Sequence, residues 1–485
     1  MNHGLFLTIG YIVFVIYTCG IMYLGTVVEK KTNMDKEICR KLTHVVSAFV
    51  WVIMQTFFGC TIHWVILNGV GTIALGFVTF GNFLDAYARD DADKSYGLFY
   101  FGLSTFVVAL ITFLLGEEYY LYAGIAYFCL ALGDGLAPIV VKLCHPFRGT
   151  IMPGRSLVGS LTVFVVSALS VTVFSTLFHM ELKPLFILSV ASLTCITEFY
   201  GLKGCDNLLI EFSVFGYLLL YAFGLVTPLL QIVILVTPLI ALPAIRWKAL
   251  SVSGGIAALI FIFALAFLAR SSLDVIYTAV IFIAVSISSK LSKKLGGKKE
   301  TQKKSGRNGY QIAGVGLWAL VAVALNYIFG AKMLYLLFFL ALAEQFSDSM
   351  ASDIGSITKK KNIDIITFKP VEKGLSGGVS LLGTLCACIG AFGILLIPYA
   401  FSLLRTGEYV TLALLAFTGA MIDSILGSLL QALYLCPECG EKTEYPEHCN
   451  RKATHIKGLR IIDNVSVNLI SGLITCIIGG FILLI

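Results

Sequence analysis

Charge is what this sequence has least of. Asp, Glu, Lys and Arg make up 13% of its 485 residues, against 58% hydrophobic ones, where soluble globular domains carry roughly 25% charge. With a mean hydropathy of +0.90, a soluble domain is excluded and an all-α polytopic membrane protein is expected. No basic stretch precedes the first apolar run, 5–27, so that run reads as a span rather than a cleaved signal. A disulfide framework is also missing. Of the 13 cysteines, Cys129, Cys195, Cys386, Cys388 and Cys476 sit inside apolar segments as small hydrophobes. The net charge of +7 comes without interleaved aromatic and basic residues, which removes nucleic acid as a partner and leaves basic loops at a lipid surface. Nor is there a fixed short period, so the chain is not a solenoid.

What is present is a series of about sixteen apolar segments of spanning length, near 4–26, 43–60, 62–80, 98–115, 119–142, 157–178, 184–201, 209–226, 227–244, 251–268, 272–288, 311–330, 332–353, 375–400, 408–434 and 462–484. The expected architecture is 14–16 transmembrane helices in two helical bundles, 1–226 and 227–485. If 28–42 is cytoplasmic, strict alternation puts every Lys and Arg inside except Lys183, Arg270, Lys332 and Arg405, as the positive-inside rule demands. Both termini then face out, and the polar motifs all lie at cytoplasmic helix ends. The basic loop 290–307 reads as a solvated orientation signal.

The two halves repeat one order of parts. In the first, "YFCLALGDGLAPIVVKLCHPFRG" carries Asp134 near the inner end of an apolar helix. A basic loop follows, and then "GRSLVGSLTVFVVSAL", in which Gly and Ser open the next helix. In the second, "LFFLALAEQFSDSMASDIG" carries Glu344, Asp348 and Asp353. It leads to "KKKNIDIITFKPVEKG" and then to "LSGGVSLLGTLCACIGA". Each half later reaches an acid–amide pair, Asp206–Asn207 and Asp463–Asn464.

This set suits nucleotide chemistry. Glycine-rich helix openings expose amide donors and a positive dipole end to phosphate. Carboxylates hold Mg²⁺, and Lys and Arg offset transferred charge. Arg40, Lys41, Arg155, Ser156, Gly159, Ser160, Lys369, Lys373, Gly377 and Gly378 are therefore candidates for nucleotide or phosphate contact. Asp134, Asp206, Asn207, Asp348, Asp423, Asp463 and Asn464 are candidates for Mg²⁺, and Asp134, Asp348, Asp353 and Asp423 for catalysis.

A carboxylate at mid-bilayer costs about 2.5–3.5 kcal/mol on insertion scales, so three on one helix call for a reason. Glu344 and Asp348 stack on one face. Asp353 lies about 140° further round and is expected to be re-aimed where the helix ends at Gly355, while Asp423 comes from another helix. The polar half of this helix is expected to face one water-accessible pocket. The five lysines within 359–373 exceed the basic residues of the matching first-half loop, which suits an acceptor that is already a phosphate. Solvated loops carry such runs too. In "CPECGEKTEYPEHCNRKATH", Cys436, Cys439, Cys449 and either His448 or His455, with His455 taken as the fourth ligand, offer a structural Zn²⁺ site.

The first half resembles the phytol kinase and dolichol kinase family of polyprenol kinases. The resemblance is carried by "RKLTHV" (Arg40, Lys41, His44), "LGDGLAPIV" (Gly133, Asp134, Ala137), "RSLVGSL" (Arg155, Ser156, Gly159, Ser160) and "EFYGLKGCDNLLI" (Glu198, Asp206, Asn207). It implies CTP as phosphoryl donor. Val158 stands where many members have a Glu, and Arg155 where Lys is usual, so the metal load is expected on Asp134, Asp206 and Glu198. The second half resembles the integral-membrane family containing plant phytyl-phosphate kinase. The match runs through "WKALSVSGGIAA", "AEQFSDSMASDIG", "TFKPVEKGLSGGVSLLGT", "GAMIDSILGSLLQALY" and "HIKGLRIIDNVSVNLISG". Together the resemblances imply a natural fusion that phosphorylates an isoprenoid alcohol to the monophosphate and the prenyl phosphate to the diphosphate. A cytidylyltransferase making a CDP-lipid is the enzymatic alternative. A transporter is the alternative of another class, because intramembrane carboxylates also mark ion pathways.

Overall fold

The computed structural model describes residues 3–32, 36–81, 96–144, 149–152, 155–201, 205–296, 306–358, 362–372 and 374–484. They form two compact units, 1–242 and 243–485. Unit 1 contains α1 (His3–Thr32), α2 (Lys36–Phe57), α3 (Ile62–Gly81), α4 (Gly97–Leu115), α5 (Tyr120–Phe128), α6 (Gly135–Leu143), α7 (Leu157–Leu177), α8 (Pro184–Tyr200), α9 (Asp206–Ala222) and most of α10 (Pro228–Arg246). The hydroxyl of Ser192 in α8 donates to the Ile234 carbonyl at 2.8 Å, which ties α10 into this unit. Unit 2 contains α11 (Val252–Leu268), α12 (Ser272–Lys294), α13 (Gly309–Phe329), α14 (Lys332–Gly355), α15 (Leu381–Ala400), α16 (Thr406–Leu430) and α17 (Asn464–Leu484). Each apolar segment of the sequence has its helix, with α5 and α6 joined in one segment by a π turn. The fold is all-α and polytopic.

Among the described residues eleven helices are long and apolar enough to cross a membrane, and α8 and α11 are shorter apolar helices. The helices outside both sets are α2, which carries Lys41 and His44, α9, which carries Asn207, and α14, which carries Glu344, Asp348 and Asp353. On α2 and α9 the polar side chains Lys41, His44 and Asn207 are buried while Phe49 and Leu209 face outward; α14 packs inside. In α14 every residue from Tyr335 to Ser347 is buried, with α12, α13, α15, α16 and α17 around it. An apolar helix covered on all sides is a core helix. Large side chains such as Ile16, Phe77, Leu239 and Phe481 point outward, the outer surface expected against lipid rather than water.

Residues that the sequence assigns to one membrane side meet one another. Tyr335 donates to Asp274 at 2.6 Å, and Lys332 pairs with Glu408 at 2.5 Å. At the other helix ends, short antiparallel sheets stand before the capped helices. β1 (Thr150–Met152) and β2 (Arg155–Ser156) precede α7, while β3 (Asn362–Asp364), β4 (Pro370–Val371) and β5 (Gly378–Val379), in order β4-β3-β5, precede α15. The repeated order of parts is thus also a repeated order of elements. Ser156 and Ser380 cap α7 and α15 through the amides of Gly159 and Gly383, each at 3.1 Å. Such a cap contributes about 1 kcal/mol.

Helix approach depends on particular glycines. A Cβ on Gly419 of α16 would lie 2.5 Å from Glu344 Cγ and 2.5 Å from Thr475 Oγ1. Gly419→Ala is therefore expected to destabilise unit 2 by about 1–3 kcal/mol through overpacking, read as a lower unfolding temperature in detergent. Gly393→Ala, with open space around the added methyl, is the control.

Candidate functional site

In unit 1, Lys41 of α2 is buried and donates from Nζ to Asp134 Oδ2 at 2.5 Å. His44 lies three residues on, hence on the same helix face, with Nδ1 3.6 Å from the same oxygen and its ring against Phe101. The glycines beside Asp134 make this approach feasible. A Cβ on Gly133 would sit 2.8 Å from Ser167 Oγ of α7, and one on Gly135 2.8 Å from Val45 of α2. Pro138 offers no amide to the Asp134 carbonyl four residues back. The segment Cys129–Asp134 is wound as a π-helix, a widening common at functional sites.

Arg155 pairs with Glu198 of α8, donates to the Gly201 carbonyl at 2.6 Å and lies 3.9 Å from Asp206 Oδ2. Glu198 is within electrostatic reach of Asp134 and Lys41, and Arg40 within reach of Asp134. The residues of "RKLTH", "LGDG", "RS" and "EFYG" thus form one buried cluster. Ser160 is buried, its carbonyl accepting from the Cys195 thiol. Asn207 donates to the Gly97 carbonyl at 2.7 Å. Its Oδ1 and both His44 ring nitrogens are buried without a hydrogen-bond partner.

The metal expectation for this half changes. Asp134 and Glu198 each have a cation already, and Asp206 accepts its neighbour's amide at 3.1 Å. Among the described residues, Asp134, Glu198 and Asp206 do not gather their oxygens closely enough to hold one ion.

In unit 2, the Ser471 hydroxyl of α17 lies between Glu344 Oε1 at 3.1 Å and Asp423 Oδ2 at 3.0 Å, within hydrogen-bond reach of both. Gln345 donates to Glu344 Oε2 at 2.7 Å. The Asn468 amide, oriented to donate, meets Asp423 Oδ2 at 3.1 Å. Asp348 is within electrostatic reach of both Glu344 and Asp423. Glu344, Asp348 and Asp423 form the acidic centre of this unit.

Four expectations are corrected here. Asp353 stays helical rather than being re-aimed, and accepts from Ser288 and Ser289 of α12, each at 2.6 Å. The polar half of α14 therefore divides between two neighbours instead of facing one pocket. Asp463 caps α17 by accepting from the Ser466 amide and hydroxyl at 2.9 and 2.8 Å, while Asn464 gives its carbonyl to Asn468; neither acts as part of the acidic centre. Gly377 and Gly378 lie in a turn and in β5, ahead of the helix that Ser380 opens. Gly377 has φ +80° and packs on Ser428, where a Cβ would lie 2.5 Å away. Lys369 is exposed on the turn between β3 and β4. Lys373, like Arg148 and Lys359 to Lys361, lies outside the described residues.

Residues not singled out from the sequence complete the unit. Asn468, Ser471 and Thr475 follow Asn464 at helical spacing in α17, a polar stripe. Glu444 accepts from the Ser376 amide at 2.6 Å and is within electrostatic reach of Asp423. Asp364 accepts from the Thr367 and Ile366 amides and from Ser428. Its burial favours protonation, but these donors hold its carboxyl below the usual carboxylate range. In the cysteine loop, His448 rather than His455 joins Cys436, Cys439 and Cys449. His455 lies on the strand Thr454–Lys457 with its ring against Tyr434. Among the described residues this is the one group of three or more such side chains whose donor atoms are gathered closely enough to hold an ion.

Comparison with known proteins bears on unit 2. An uncharacterized membrane protein of Methanocaldococcus jannaschii is 27% identical over 205 residues, 42% of this chain and 75% of its own length. An uncharacterized membrane protein of Synechocystis is 30% identical over 135 residues, 27% of this chain and 52% of its own. Protein PGR of Arabidopsis thaliana is 31% identical over 139 residues, 26% of this chain and 47% of its own. The chain thus spans three quarters of the first relative and about half of the other two. No solved structure matches. Residues 235–476 match the family model described as Integral membrane protein DUF92, and the chain is an integral, multi-pass membrane protein similar to that family over nearly all of its second unit.

Proposed function

We propose that the chain is a bifunctional prenyl lipid kinase. Unit 1 would convert an isoprenoid alcohol to its monophosphate with CTP, and unit 2 would convert the monophosphate to the diphosphate. The observation that carries this reading is the buried Lys41–Asp134 pair beside the Arg155–Glu198 pair. Phosphoryl transfer asks for cations against the transferring group and a carboxylate to take the alcohol proton, and both are here in one apolar interior. The open atoms of His44 and Asn207 are further points for a polar ligand. In unit 2, Glu344 and Asp423 share the Ser471 hydroxyl, and each would give an oxygen to a Mg²⁺ whose remaining ligands are nucleotide phosphates and water. In unit 1 the cations already present leave Asp134 as the proton acceptor.

The test supplies farnesol, geranylgeraniol or phytol with labelled CTP and Mg²⁺ to membranes holding the full chain. Prenyl monophosphate, prenyl diphosphate and CDP are the expected products. With the prenyl monophosphate supplied as acceptor, pyrophosphate and a CDP-linked lipid would identify a cytidylyltransferase instead. A second reading, transport, draws on one observation: no cation among the described residues pairs with Glu344 or Asp423, both buried. Substrate or ion flux in liposomes without nucleotide would establish it.

A further inference from the structure

We propose that Cys436, Cys439, His448 and Cys449 bind one Zn²⁺, and that this ion holds the loop that clamps the Ser376–Gly377 turn. Two hairpins deliver the ligands. The first joins β6 (Leu433–Leu435) to β7 (Lys442–Thr443), with Tyr434 opposite Thr443. Its turn carries Cys436 and Cys439, closed by the Gly440 amide on the Cys436 carbonyl at 3.0 Å. The second joins β8 (Glu447–His448) to β9 (Arg451–Lys452). Its two turn residues, Cys449 and Asn450, have φ +51° and +59°. A two-residue turn with both φ positive normally takes Asn, Asp or Gly. A cysteine at the first position is a poor turn residue and is explained by what its sulfur does.

The ligand atoms lie within 4.8 Å of one another. Cys439 Sγ and Cys449 Sγ are each 3.4 Å from His448 Nδ1. A tetrahedral zinc with Zn–S about 2.3 Å and Zn–N about 2.1 Å has S···N edges of about 3.6 Å. Hydrogen bonding alone is a weaker account, because Nδ1 has one lone pair and cannot accept from two thiols at once. Three thiolates and one imidazole select zinc over the hard divalent ions. With four protein ligands the site is closed, hence structural rather than catalytic.

The same loop places Glu444 on the Ser376 amide at 2.6 Å. Strand β10 (Thr454–Lys457), paired to β6, puts Lys457 Nζ 3.9 Å from Asp364 Oδ2. Metal at the hairpin turns therefore fixes two residues that hold the segment leading into α15.

The full chain, purified in detergent under reducing conditions, is assayed for metal content. One zinc per chain is expected. It should be lost in Cys439→Ser and His448→Ala, and kept in His455→Ala and in His448→Cys, which restores a fourth ligand. Replacement by Co²⁺ should give thiolate charge-transfer bands and visible ligand-field bands of tetrahedral intensity. Chelation should raise hydrogen exchange at Ser376 to Gly378 while α14 keeps its protection. Wild type that is monodisperse but free of zinc and gives no cobalt bands would overturn the site. Zinc lost in His455→Ala would overturn the ligand set, and unchanged exchange at Ser376 to Gly378 would overturn the clamp. None of these readouts depends on kinase activity.

Discussion

Asp134→Ala is expected to abolish formation of prenyl monophosphate, by about 10²–10⁴-fold if Asp134 is the group that receives the alcohol proton. The variant also strands a charge. Lys41 is buried and its Nζ sits 2.5 Å from Asp134, and removing one member of a buried pair costs about 3–5 kcal/mol. A dead Asp134→Ala enzyme is therefore ambiguous on its own. The double variant Lys41→Met/Asp134→Leu resolves this. Replacing a buried ion pair by apolar side chains of similar size is often neutral or stabilising, so thermal stability should return toward that of the wild type. Activity should not return, because neither the cation nor the carboxylate is there. A double variant that still phosphorylates geranylgeraniol would remove this pair from the chemistry.

The pairing that drives this prediction was only half legible in the sequence. Asp134 between two glycines, and Arg40–Lys41 ahead of an apolar helix, were visible as separate signals. That Lys41 meets Asp134 depends on α2 crossing Gly135, a contact between residues 93 apart. Helical periodicity fixes which residues share a face but not which helix that face meets. The spans themselves were readable because lipid demands long apolar helices with their backbone groups internally satisfied. The acids on α14 show where the one-helix argument stops. A wheel puts Glu344, Asp348 and Asp353 on one broad polar half, yet Asp353 turns to Ser288 and Ser289 while Glu344 turns to Ser471. In a helix packed on all sides, partners from different neighbours divide a face that appears continuous in projection. Asp463 was misread for a related reason. An Asp immediately before a helix start is an N-cap that accepts the amide three residues on, and its own helix uses it before any ligand can. The cysteine loop misled only in its histidine. His448 and His455 both lie within reach along the chain, and a two-residue turn at Cys449–Asn450 decides between them.

Asp423→Asn is expected to stop the second phosphorylation while leaving the first, so that prenyl monophosphate accumulates and diphosphate falls by on the order of 10²-fold, the loss typical of removing one electrostatic stabiliser. The substitution keeps the shape of the side chain and an oxygen to accept from Ser471 and Asn468. What it removes is one of the negative charges gathered with Glu344 and Asp348. The fold should tolerate it well, since close acidic groups repel one another and their desolvation is costly. Melting in detergent should stay level or rise. Asp353→Asn makes the contrasting case. Its Oδ2 accepts both serine hydroxyls from α12, and a neutral amide oxygen accepts them more weakly than a carboxylate. Stability should fall by about 1–3 kcal/mol, with a smaller change in diphosphate per folded molecule. If Asp423→Asn makes diphosphate at the wild-type rate but loses cation flux in liposomes without nucleotide, the acidic centre of unit 2 is a transport site, and the doubled architecture serves two chemistries rather than one performed twice.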